Sequence, residues 1–151
     1  MKRIQTFVSA LSILLAVAVG AAGTFGQTSP EMVVRAVYSA AKKKSPAEMS
    51  KAELRKYFDA DLAGAIWKTA NSDGGLDFDL LYNAQDARIR NFRITKASPQ
   101  TAAVSFWTIS FTNFGKKESF TFELTKFGAK GWRIADITYT DGSKLVDILK
   151  E

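Results

Sequence analysis

The sequence predicts an α+β domain with N-terminal helices packed in a strongly bent antiparallel sheet and a short C-terminal helix. Three observations predict it. Apolar residues recur at helical spacing as far as Ala70 and at strand spacing after Arg88. Turn residues separate the strand-like runs at short intervals, as in a meander of hairpins. The longest run, Thr101 to Thr112, inverts its apolar parity midway, which implies a bend.

The chain opens with a different kind of segment. Met1-Lys2-Arg3 is basic, Ile4 to Val19 is almost unbroken apolar sequence, and Gly20-Ala21-Ala22-Gly23 is small. That order is the order of a secretory signal. A spanning helix needs about 20 apolar residues, and Thr6, Ser9 and Ser12 interrupt an already short run. The expectation is a signal peptide over residues 1–26 and one domain over 27–151, with no transmembrane anchor after cleavage. Its destination is then periplasmic or secreted.

Thr28-Ser29-Pro30-Glu31 reads as a helix start: a hydroxyl cap, a proline in the first turn and an acid beside it. Val33, Val34, Val37, Tyr38 and Ala41 then share a face. Ser50-Lys51-Ala52-Glu53 is a capping box that leads into Leu54, Tyr57 and Phe58. Asp59 or Asp61 caps a third helix that turns Leu62, Ile66 and Ala70 inward. Asn71-Ser72-Asp73-Gly74-Gly75 ends it.

Leu76 to Asp86 has no period. Strands follow at Ile89–Thr95, Thr101–Thr112, Glu118–Lys126 and Trp132–Tyr139, with turns at Asn113-Phe114-Gly115-Lys116 and Gly128-Ala129-Lys130-Gly131. Asp141-Gly142-Ser143 leads into a helix with Leu145, Val146 and Leu149. In the second strand Ala102, Val104 and Phe106 are even, whereas Trp107, Ile109 and Phe111 are odd. A bulge at or beside Phe106-Trp107 is expected, because a phase shift lets both sets serve one core.

Composition narrows the chemistry. The chain has no cysteine and no histidine. It lacks disulfides, thiol nucleophiles, the usual triad base and the commonest transition-metal ligand. No metal, cofactor or catalytic residue is assigned. The net charge of +6 is scattered. Its densest basic run, Lys42-Lys43-Lys44, opposes the negative end of a helix dipole. An exported chain without an arginine-rich stripe is not expected to bind nucleic acid.

Gly131-Trp132-Arg133-Ile134-Ala135-Asp136-Ile137 resembles the ending of cone-shaped domains of the nuclear-transport-factor-two-like (cystatin-like) kind. Asp79-Leu80-Leu81-Tyr82-Asn83-Ala84-Gln85-Asp86, the tryptophan strand and Asp141-Gly142-Ser143-Lys144-Leu145 resemble a bacterial envelope family, domain of unknown function 3828. That resemblance implies the cone-shaped fold and an envelope location, and it carries no active site. Several members of that family resemble lipoproteins, and this chain has no cysteine to lipidate. The last strand, with Ser143-Lys144-Leu145, is also similar to periplasmic phospholipid carriers.

Two sets of residues are candidate ligand contacts. Asp77, Asp79, Asn83, Gln85 and Asp86 form a polar cluster that could hold a cation or polar ligand, or could instead hold irregular backbone in turns. Trp132, Ile134 and Asp136 share parity, so Asp136 could stand in a pocket beside Trp132 with a raised pKa. Otherwise it pairs with backbone or an arginine, the outcome the sequence favours. The strand aromatics could fill a core or line a cavity. The leading expectation is non-enzymatic binding of an envelope protein or an apolar small molecule. Lipid carriage is one alternative, and an isomerase or lyase using a pocket carboxylate is another.

Overall fold

The computed structural model describes residues 29–150. The expected signal peptide, 1–26, lies outside the described residues. Helix α1 (Pro30–Ala41) comes first, then a 3-10 turn (Pro46–Glu48), α2 (Lys51–Leu54) and α3 (Ala60–Ala70). Strands β1 (Ile89–Gln100), β2 (Val104–Asn113), β3 (Lys116–Lys126) and β4 (Trp132–Thr138) follow, and α4 (Leu145–Ile148) ends the chain. The strands form one antiparallel sheet in the order β1-β2-β3-β4. No described helix is long and apolar enough to cross a membrane.

The helix starts follow from their caps. Ser29 Oγ accepts the Met32 N–H at 3.3 Å. Ser50 and Glu53 exchange side chain-to-backbone bonds at 3.2 and 2.7 Å, a complete capping box. Asp59 rather than Asp61 caps α3, accepting from Leu62 N–H at 2.8 Å. Val33, Val34, Val37 and Tyr38 of α1 are buried, and the helix packs on β4 and β2.

The β2–β3 hairpin closes through Phe114 and Gly115, both at positive φ (47° and 86°). Left-handed backbone at both positions of a two-residue turn matches the strands' twist. β1 is an edge strand, and its register slips between Arg90 and Arg93 and between Ala97 and Gln100. Asn91, at φ 55°, supplies the first bulge. Bulges and exposed cations at Arg90, Arg93 and Lys96 blunt the edge against pairing with other chains.

The bulge expected in the second strand is not there. β2 pairs with β3 in unbroken register, with Phe106 opposite Glu123 and Trp107 opposite Phe122. The odd set faces inward and buries Ile109 and Phe111, while Val104 and Phe106 remain half-buried on the outer face. The inward position before Trp107 belongs to Ser105, whose hydroxyl donates to Gln100 and accepts the Trp107 Nε1–H at 2.9 Å. A satisfied serine at this inward position removes the need for a phase shift.

The phase shift lies in β4. Glu123 faces Asp136 and Leu124 faces Ile134, so Ala135 is the extra residue. Trp132 and Ile134 before it, and Ile137 and Tyr139 after it, are thereby all buried despite opposite parity. The space between sheet and helices is filled by the chain's own side chains. Phe58, Phe120, Phe122, Leu124, Ile134 and Ile137 are each almost fully buried there.

Candidate ligand-binding groove

The segment between α3 and β1 has no regular ladder, and its backbone is held from outside. Leu80 and Leu81 are buried. The Tyr38 hydroxyl donates to the Leu81 carbonyl and the Tyr139 hydroxyl to the Leu80 carbonyl, each at 2.9 Å. Burial pushes both tyrosine pKa values up, with nearby charges, Asp79 among them, adding to it. These hydroxyls are donors fixed on carbonyls, a poor state for proton abstraction.

Tyr38 is also the centre of an aromatic set. Phe92 meets it edge-on at 4.8 Å, Tyr82 lies at 5.5 Å and Phe122 at 5.9 Å. Tyr82, Phe111, Phe120 and Tyr139 continue the line inward at 5.0–5.6 Å spacings. The outer end of this line opens into a groove of about 460 Å³ between α1 and β1. Tyr38, Tyr82, Ile89, Phe92 and Ile94 supply its apolar and aromatic surface, and Arg35 and Lys42 its cations. Phe92 stays 38 % exposed at the opening. Arg35 is paired with Glu31 at 2.7 Å, whereas Lys42 makes no ion pair among the described residues.

The polar cluster read from the sequence is only partly assembled. Asp77, Asp79 and Gln85 line a smaller cleft of about 280 Å³ with Ser45 and Leu76. Asp79 Oδ1 accepts the Leu81 N–H at 2.8 Å, and Asp79 N–H donates to the Ala84 carbonyl at 2.8 Å. Burial raises its carboxyl pKa, against the lowering effect of the Leu81 and Tyr82 amides. Asn83, at φ 48°, lies in the turn that brings Ala84 back to Asp79, and Asp86 is exposed beyond it. Among the described residues no three His, Cys, Asp or Glu side chains converge as a metal-binding group.

Trp132 and Asp136 stand elsewhere, buried in β4, and line neither the groove nor the smaller cleft. Asp136 Oδ1 accepts from Ile137 N–H at 2.8 Å and Val146 N–H at 3.1 Å, and Lys144 Nζ lies 4.0 Å from Oδ2. Its carboxylate joins the β4 bulge to α4. Of the groove residues, sequence periodicity places Tyr38 on the buried face of a helix and Ile89, Phe92 and Ile94 in a strand. The spacing Arg35-Tyr38-Lys42, one stripe along α1, was the available signal.

No family model and no curated protein matches the chain. Among solved structures it is similar to a phospholipid-binding protein from Ralstonia solanacearum, determined in complex with a phospholipid. The two share 15% identity over 81% of this chain and 73% of that one, with a TM-score of 0.40. So distant a likeness does not extend to this chain's ligand.

Proposed function

We propose that this chain is a non-enzymatic binding protein of the bacterial envelope that takes an amphiphile with an anionic head in the α1–β1 groove. The observation that carries this reading is the groove itself: Tyr38, Tyr82, Phe92, Ile89 and Ile94 side by side, with Lys42 and Arg35 at the edge. Concave apolar surface with a few charged groups is the composition of small-ligand sites. Exposed aromatic surface favours an alkyl chain or ring, and a lysine with no ion pair among the described residues favours a carboxylate or phosphate. Envelope location rests on the basic, apolar and small-residue order of residues 1–26 and on the resemblance to domain of unknown function 3828.

The filled interior directs a ligand to the surface rather than into a closed cone. Lipid carriage would therefore be shallow, with the chain end exposed or covered by a partner. Native mass spectrometry of the protein isolated from its own cells tests the reading. A bound anionic amphiphile that Phe92→Asp removes is the expected result. A bound species that Phe92→Asp leaves in place would place the ligand elsewhere, and none in either form would refute the reading.

A further inference from the structure

The β3–β4 turn forms a further cleft, of about 340 Å³, at the opposite end of the sheet from the β2–β3 hairpin. Arg55, Lys130 and Arg133 line it together with Phe58, Asp59 and Phe127. Phe127, between Lys126 and Gly128, is 47 % exposed. Arg133 has no counter-ion among the described residues and is fixed on carbonyls: its Nε donates to the Arg55 carbonyl at 2.9 Å and its Nη1 to the Trp132 carbonyl at 2.7 Å. Arg55, Lys126 and Lys130 make no ion pair among the described residues. The acid in the cleft, Asp59, has Oδ1 committed to the Leu62 N–H at 2.8 Å.

We propose that this end of the molecule docks on an anionic lipid bilayer, with Phe127 at the boundary of headgroups and acyl chains and Arg55, Lys130 and Arg133 facing lipid phosphates. Charge complementarity selects the surface, since the cations outnumber the acid and make no ion pair among the described residues. The exposed ring selects a bilayer over a soluble polyanion. A polyanion without apolar surface would use the cations and leave Phe127 in water, whereas a bilayer accepts both at adjacent depths. The hairpin at the other end also exposes a phenylalanine, Phe114, in a cleft with Arg88 and Arg90, although there Lys116 is paired with Glu118 at 2.8 Å.

Cosedimentation of the full chain with vesicles tests this. One set is phosphatidylcholine and the other an equal mixture with phosphatidylglycerol. Each variant is compared with the unchanged chain, so the contribution of residues 1–28 cancels. The unchanged chain should prefer the anionic vesicles, less so as salt rises. Arg55→Gln with Lys130→Gln should reduce that preference about tenfold or more. Phe127→Ser should weaken binding several-fold with the salt dependence intact, and Phe114→Ser should weaken it less. Circular dichroism checks that each variant is folded, and both cations are exposed side chains. An undiminished preference in the double variant overturns the proposal. So does a silent Phe127→Ser together with full competition by soluble polyglutamate, which would mark an acidic polymer as the partner.

Discussion

The Tyr139 hydroxyl donates to the Leu80 carbonyl at 2.9 Å across 59 positions of sequence. Tyr38 does the same for the next carbonyl, Leu81, across 43 positions. The segment they hold has neither helix nor ladder, so its buried carbonyls depend on outside donors. Helix α1 and the end of β4 are thus fastened to adjacent peptide units, and that junction sets where Tyr38 and Tyr82 stand at the groove.

Tyr139→Phe should therefore cost about 1–3 kcal/mol in urea unfolding, the penalty for a buried acceptor left without its donor. Tyr38→Phe should cost a similar amount and should also loosen the groove. A loss below about 0.5 kcal/mol in either variant would mean that water replaces the hydroxyl.

Glu53 gives the fold a dependence on acid. Its hydrogen bonds with Lys44 and the Ser50 backbone lower its pKa from 4.5 to about 2. A carboxyl with a depressed folded-state pKa stabilises the fold above its unfolded value and loses that contribution as pH falls through the folded one. The stability gap between the unchanged chain and Glu53→Gln should be constant above about pH 5 and close between about pH 4.5 and 2. Paired thermal melts across that range measure it, and a gap independent of pH would show that the capping box has no ionic part.

Helix starts were legible because each depends on a few adjacent residues: Ser50 with Glu53, and Asp59 with Leu62. The phase of the strands was not, because it depends on neighbours far along the chain. Parity inverts in both β2 and β4, and one signal has two remedies. β4 inserts Ala135, whereas β2 leaves Phe106 on the outer face and satisfies an inward Ser105. The groove was missed for the same reason. Ile89 and Ile94 have opposite parity yet line one wall, because the bulge at Asn91 lies between them. Without it Phe92 would point away from Tyr38.

Phe92 and Lys42 should separate groove binding from stability. Phe92 is exposed enough that Phe92→Ser should change unfolding free energy by no more than about 1 kcal/mol. Binding of a fluorescent fatty acid should weaken about tenfold or more in that variant. Lys42→Glu should weaken the fatty acid but spare an uncharged analogue of equal chain length, since only the head meets the lysine. Equal losses for both probes would assign Lys42 to packing rather than to the head.

Asp136 separates the two sequence expectations for a buried acid. Its Oδ1 accepts the Ile137 and Val146 N–H groups, so an acceptor at this position serves the bulge and the start of α4 together. Asp136→Ala removes the acceptor of a buried and a part-buried N–H and should cost about 1–3 kcal/mol. Asp136→Asn keeps a carbonyl oxygen there and should cost clearly less, with the difference set by the loss of charge near Lys144. Neither change should alter fatty-acid affinity once the variant is folded, because Asp136 does not line the groove. Urea unfolding and the binding titration, made on the same preparations, decide it. If Asp136→Asn abolished binding while keeping full stability, the carboxylate would belong to a ligand site after all.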